Sequence, residues 1–213
     1  MREYEAIAER IAGVQPGRVL DWGCGHGQVT DLLMRRGVEV VAFDYREGSD
    51  STVIPLESFP DIQAHVSGDP VRLPFADDSF DLALSCGVLE HVQFPEASLA
   101  ELHRVLHPGG RLLVYKLPNR LSYLEAIARH SGMYYHGALE HDRIYTRRNA
   151  TALLTEASFR VDDFRRANML SLTIEHPLAW RVRGPLWTLN QALARLPALR
   201  LLATNLELDA TAI

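Results

Sequence analysis

"RVLDWGCGHGQVTDLLMRRG", residues 18–37, sets three glycines on alternate positions directly after a short apolar run that ends in Asp21. Chain so flexible and so bare of side chains at a strand end lets something approach the backbone closely. The flanks supply the context. "RVLDW" reads as a strand, "QVTDLLMRR" as a helix with Val29, Leu32 and Leu33 on one face and Gly37 as its stop, and "VEVVAFD" as a second, almost wholly apolar strand. This is a βαβ unit. In an open α/β sheet, ligands sit beyond the carboxyl ends of the strands, and the first strand-to-helix turn lies there. Gly23, Gly25 and Gly27 occupy that turn, where a ligand would lie against backbone N–H groups.

The same alternation runs along much of the chain. Tyr4, Ile7, Ala8 and Ile11 recur at helical spacing before Gly13 and Pro16, which predicts an amphipathic helix ahead of the first strand. "DIQAHV" is a third candidate strand and "FDLALSC" a fourth. "PEASLAELHRVL" reads as a helix opening at its proline, and "GRLLVYKLP" as a fifth strand after an "HPGG" turn. "NRLSYLEAIARHSGMYYHGALEHDRIYT" predicts a helix and a Tyr/His-rich loop, "NATALLTEA" a helix, "FRVDDFRRANML" a strand, and "ATNLELDA" the last strand. Between these last two, residues 171–200 carry Trp180, Trp187, leucines and prolines, and read as an insertion of one or two short helices. Short apolar strands alternating with helices imply a parallel sheet covered on both faces.

Composition narrows the function classes. The chain has 213 residues, 47% apolar and 23% charged, enough to bury one sizeable core. A net charge of −5 with acids and bases interspersed lacks the basic face that nucleic-acid binding requires. "MREYEAIAER" has no apolar signal-peptide core, and no apolar run is long enough to span a membrane, so a cytoplasmic location is expected. Cys24 and Cys86 are too few for a disulfide framework and lack metal-ligand spacing; two buried reduced thiols are expected, and no metal site.

Asp44 ends the second strand about twenty residues after the glycines, where a carboxylate accepts hydrogen bonds from both hydroxyls of a ribose. A dinucleotide fingerprint would place its third glycine where Gln28 stands; here the glycine comes one residue early, at Gly27. Asp21-x-Gly23-x-Gly25-x-Gly27, then Asp44, "GDPVRLPFADDSFDLALSCGVLEHV" and "ELHRVLHPGGRLLVY" resemble, in order, the motifs of class I S-adenosylmethionine-dependent methyltransferases of the type 11 kind over about residues 18–116. That resemblance implies a Rossmann-like, doubly wound seven-stranded sheet, mostly parallel with the last strand antiparallel, and a helical insertion before that strand.

It also implies roles. Asp21 with Gly23, Gly25 and Gly27 would lie under the methionine part of S-adenosyl-L-methionine, Asp21 acting indirectly by ordering the glycine loop. Asp44 would hold the ribose and Asp69 the adenine amino group, while Tyr45 could stack on the adenine and backbone at Gly87 could meet the methionine portion. Pro70 departs from the family's habit of reading a ring nitrogen through the N–H after that Asp, because proline has none. Glu90-His91 opens the following helix as the family shows, and a structural or pocket-lining role is the reading for His91.

Methyl transfer is an in-line displacement at an activated carbon, so the protein chiefly positions two reactants and excludes water. A base serves a hydroxyl or protonated amine, and histidine suits the task. Tyr134, Tyr135, His136, His141 and Tyr145 gather after the fifth strand, with His141 and His136 the catalytic candidates. Arg143, Arg147 and Arg148 read as a solvated face, or else as receivers of an anionic acceptor. A single domain is expected over 1–213, with 18–116 the cofactor core and 117–148 and 171–200 acceptor-side or lid segments. The expected activity is methyl transfer to an O or N atom of a small molecule, such as a biosynthetic intermediate or a lipid- or sugar-linked acceptor. The apolar 171–200 segment would cover that acceptor, meet a second subunit in a homodimer, or extend the core. The alternatives are an NAD(P)-linked oxidoreductase or epimerase, which the glycine spacing disfavours, and a cofactor-binding scaffold without catalysis.

Overall fold

The computed structural model describes residues 2–131, 141–169, 188–190, 192–193, 196 and 199–213. Helix α1 (Arg2–Gly13) precedes β1 (Arg18–Trp22), α2 (Gln28–Met34) and β2 (Glu39–Tyr45), the βαβ unit expected from the glycine stretch. Strands β3 (Thr52–Pro55), β4 (Gln63–Ser67) and β5 (Phe80–Cys86) follow. Then come α3 (Pro95–Val105), β6 (Leu106–Pro118), α4 (Tyr123–Ser131), α5 (Arg147–Glu156), β7 (Phe159–Ala167), a 3-10 turn at Arg200–Leu202, and β8 (Asn205–Ala212).

The strands form one sheet in the order β3-β4-β2-β1-β5-β6-β8-β7. Strands β4, β2, β1, β5 and β6 run parallel, and β8 is antiparallel to both its neighbours, β6 and β7. The chain leaves β1 toward β2 and later returns to β1's other side through β5, so the order reverses at β1 and the carboxyl ends of β1, β2 and β5 share one crevice.

Among the described residues the sheet has eight strands where the motifs implied seven. The extra one, β3, is a short edge strand paired antiparallel with β4 from Thr52↔Val66 to Pro55↔Gln63. Its positions are largely exposed, so no hydrophobic alternation marks it, and its closing proline suits an edge. The "HPGG" turn is also present, looped out of the ladder: Phe80 pairs with Leu106 and Leu82 with Arg111, with Gly109 at φ 80° between.

Both faces of the sheet are covered, which is why β1 and β5 read as continuous apolar runs. Val19, Leu82 and Leu84 face Ile7, Ala8 and Ile11 of α1 and Val29 and Leu33 of α2. The alternate positions Leu20 and Ala83, and Phe80 beyond the register shift in β5, join Leu99 and Leu102 of α3 and Ala150 and Leu154 of α5 in the larger core. Pro95 starts α3 at the position where a missing N–H costs nothing. A capping box starts α5: Asn149 N–H donates to Thr146 Oγ1 at 3.3 Å, and Thr146 N–H to Asn149 Oδ1 at 2.6 Å, an arrangement worth about 1 kcal/mol. No described helix is long and apolar enough to cross a membrane.

Candidate active site

The turn after β1 is pinned to β2. The N–H groups of Gly23 and Cys24 both donate to the Phe43 carbonyl at 2.9 Å, so the loop lies flat across the carboxyl ends of the two strands. All three glycines have positive φ, at 75°, 53° and 83° for Gly23, Gly25 and Gly27. Their surroundings differ. A Cβ on Gly23 would come within 2.4 Å of Val88 Cγ2, and one on Gly27 within 2.4 Å of Leu56 Cδ1, whereas one on Gly25 would meet none of the described residues within 4 Å. Gly23 and Gly27 are therefore packing glycines, and Gly25 is the one whose bare backbone faces open space.

Asp44 stands beside it. Gly25 N–H donates to Asp44 Oδ2 at 3.1 Å and Tyr45 N–H to Oδ1 at 2.9 Å, which fixes the carboxylate at the end of β2. Burial raises its pKa, against those two N–H bonds. A carboxylate offers about four acceptor positions, so two remain for hydroxyl donors. Tyr45 follows, 48% exposed.

Asp21 lies beneath the loop, 2% exposed, and accepts from Thr30 Oγ1 at 2.5 Å. Its bond runs to the first turn of α2, so it joins strand to helix; the glycine loop itself is held by Phe43 and Asp44. Burial pushes the Asp21 carboxyl up to about 6, with the nearby Asp44 charge adding to the effect. Asp69 is exposed beyond β4. Its Oδ1 accepts from Arg72 N–H at 2.8 Å and Val71 N–H at 2.9 Å, bonds that hold its pKa below the ordinary carboxylate value. One oxygen is thus spent on its own turn.

The loop after β5 forms the facing wall. Gly87, at φ 72°, donates its N–H to the Tyr115 carbonyl, and Glu90 Oε1 lies 3.8 Å from where a Cβ on Gly87 would be. Glu90 and His91 lie in a turn before α3, not at its opening as the motif suggested, because α3 begins only at Pro95. His91 Nδ1 is 2.7 Å from Asp142 Oδ1, and its Nε2 is 3.8 Å from Glu90 Oε1. The two carboxylate side chains are 6% and 5% exposed and the imidazole 44%.

Residues 141–146 dock on this loop through several other bonds. Arg143 N–H donates to the Glu90 carbonyl, its guanidinium to the carbonyls of Val92, His141 and Gln93, and Tyr145 OH to the Leu89 carbonyl. Arg143 is consequently committed to backbone and is neither a solvated face nor an anion receiver. Arg147 stacks over Phe164 at 5.1 Å. Tyr145 is buried and its phenol is pushed up to about 12 by burial, so it packs rather than titrates. His141 is half-buried, its carbonyl tied to Arg143. His136, Tyr134, Tyr135, Trp180 and Trp187 lie outside the described residues.

Residues 20–114, the span that holds the glycine turn, Asp44 and the post-β5 loop, match the family model for a methyltransferase domain. The chain belongs to the class I S-adenosylmethionine-dependent methyltransferases. A probable S-adenosylmethionine-dependent methyltransferase of Mycolicibacterium smegmatis is 31% identical over 82% of this chain and 66% of its own length. A demethylmenaquinone methyltransferase of Renibacterium salmoninarum is 35% identical over 60% of this chain and 56% of its own. This chain thus spans between half and two thirds of those relatives. Among solved structures, the 1,6-didemethyltoxoflavin N1-methyltransferase of Burkholderia thailandensis is 20% identical. It superposes with a TM-score of 0.58 over 99% of this chain and 77% of that one, a likeness of fold.

The methyltransferase cofactor fits what is present. Gly25 leaves open the space a side chain would fill, and Asp44 keeps acceptor positions facing it, the pair a nucleoside needs and a phosphate would not. One residue escaped the sequence. Asp142, adjacent to the favoured His141, orients His91 instead, and nothing in the local spacing links positions 91 and 142.

Proposed function

We propose that this methyltransferase moves a methyl group from S-adenosyl-L-methionine to an O or N atom of a small, largely apolar acceptor. The observation that carries the reading is the pairing of Gly25, open and left-handed, with the Asp44 carboxylate that its own N–H holds in place. Asp44 would take the ribose hydroxyls, the backbone around Gly25 would lie along the cofactor's amino-acid portion, and Asp69 and Tyr45 would flank its adenine. When bound, the cofactor supplies a methyl carbon on a positively charged sulfur; the acceptor's electron pair forms the new bond as the carbon–sulfur pair returns to sulfur. The chain's own work is then to orient the acceptor, exclude water and receive a proton where the acceptor carries one.

The apolar character of the acceptor rests on the surface after β6. Leu121, Ile127, Leu199, Leu201 and Leu202 are 37–52% exposed, and the Leu201 carbonyl accepts from Asn119 just past the carboxyl end of β6, on the side of the sheet where Gly25 lies. The name of the Renibacterium relative gives demethylmenaquinone as that protein's acceptor, a quinone. The domain is read as one unit, with residues 117–148 and 171–200 as the acceptor side.

Thermal denaturation with S-adenosylhomocysteine or NADH tests the cofactor. A ligand at about a hundred times its Kd adds about 2.7 kcal/mol of stability. Stabilisation by S-adenosylhomocysteine alone is expected; stabilisation by NADH alone would replace this reading with an oxidoreductase. A mass-spectrometric screen of quinol, phenol and amine metabolites for a one-methyl gain then finds the acceptor.

A further inference from the structure

We infer that His91 is the general base for the acceptor, with Asp142 its positioning residue. The inference rests on the methyl-transfer reading above and specifies the acceptor side of the same site.

A buried carboxylate at 2.7 Å from Nδ1 makes that nitrogen the protonated one, so the lone pair sits on Nε2. The free nitrogen is 3.8 Å from Glu90 Oε1, beyond hydrogen-bonding distance, and the ring is 44% exposed, which leaves it reachable by a substrate. The place is right. The same Glu90 oxygen lies 3.8 Å from a Cβ built on Gly87, and Val88 fills the space above Gly23, so the loop carrying His91 abuts the glycine turn.

The charges around the ring suit a proton acceptor. Glu90 faces it from its own loop and Asp142 from the docked segment, while the neighbouring cation, Arg143, is occupied by the carbonyls of His141, Val92 and Gln93. An imidazolium formed there would sit between two carboxylates. Nor is the His91–Asp142 contact needed to hold the segments together. Arg143 and Tyr145 already make that connection through the carbonyls of Glu90, Val92, Gln93 and Leu89.

In the step proposed, the acceptor's O–H or N–H bond breaks and its proton goes to the Nε2 lone pair. The electrons left on the acceptor atom form the bond to the methyl carbon as the carbon–sulfur pair returns to sulfur. The exposed imidazolium then releases the proton to solvent. His141, which its position in the sequence favoured, is displaced from this role by the carboxylate beside it, which points its neighbour in space and not its neighbour in sequence.

The test uses His91→Gln, Asp142→Asn and Asp142→Glu, with substituted phenols of graded acidity as probes and S-adenosylhomocysteine formation as the readout. All three variants are expected to bind S-adenosylhomocysteine within about threefold of the parent. His91→Gln is expected to lose about 10²-fold or more on phenols that are un-ionised at the assay pH, and only a few-fold on nitrophenols already ionised, because a lost base matters only where a proton remains. Asp142→Asn should move the rising limb of the rate–pH profile to lower pH, and Asp142→Glu should restore it. An equal loss across the phenol series would overturn the assignment while leaving methyl transfer intact, whereas a parent protein that fails to bind S-adenosylhomocysteine would sink the underlying reading. If no phenol is methylated, nitrogen-15 NMR of the His91 ring decides: an Nδ1–H tautomer at neutral pH supports the assignment, and an Nε2–H tautomer refutes it.

Discussion

Replacing Asp21 by Asn should reverse the sign of its effect with pH. The wild-type carboxyl is 2% exposed and titrates near 6 in the folded protein against an ordinary value of 3.8. That gap of roughly 2 units, at about 1.36 kcal/mol per unit, amounts to about 3 kcal/mol. The folded state keeps a proton that the unfolded chain has already lost between pH 3.8 and about 6. Stability therefore falls as pH rises through that window and stays lower above it. Asparagine carries no charge to desolvate and still accepts from Thr30 Oγ1, so it is spared the loss. Its amide brings a cost of its own where Asp21 also faces the Thr30 backbone N–H, but that cost is the same at every pH. The clean quantity is the change in the variant's relative stability between pH 4 and pH 8, expected to be about 2.4 kcal/mol in the variant's favour at the higher pH, because pH 4 already lies just above the unfolded value of 3.8. Glu207, pushed up to about 7 by burial, tilts both proteins alike and cancels. Urea denaturation of both proteins at the two pH values measures it. A change under about 0.5 kcal/mol would mean that Asp21 ionises as an ordinary carboxylate and that its burial carries no electrostatic cost.

Asp44→Ala should weaken S-adenosylhomocysteine binding by about 1–3 kcal/mol in calorimetric titration, since the ribose loses a charged acceptor and Gly25 loses its anchor. Gly25→Val should abolish that binding yet leave a folded protein by circular dichroism. Its Cβ meets no described residue within 4 Å, so the space it takes is the ligand's, at a φ of 53° that valine resists. Arg104→Ala should cost about 2–3 kcal/mol in urea denaturation. The guanidinium serves Glu101, Asp77 and the carbonyls of Leu73 and Phe75 at once, and Arg104→Lys should recover little because an ammonium cannot fork.

The sequence determined whatever local periodicity and short-range spacing encode. The run "FDLALSC" coincides with β5, Pro95 opens α3 where the proline signal put it, and the glycines lie between β1 and α2 with Asp44 on the adjoining strand. Each of these follows from side chains a few residues apart, or from one βαβ unit whose handedness and reach are fixed by its own geometry. Tertiary structure decided the rest. Three glycines that look equivalent in sequence became one open to a ligand and two packed against Val88 and Leu56, because those partners come from the far sides of β5 and β3. The edge strand β3 exists through its pairing with β4 and not through any pattern of its own. His91 and Asp142, 51 positions apart, meet only after β5 and β6 are side by side and residues 141–146 dock on the loop between β5 and α3. A hydrogen bond of that span has no period in the chain; it arises from the order of the strands, and so the sequence pointed to His141 where the folded protein orients His91.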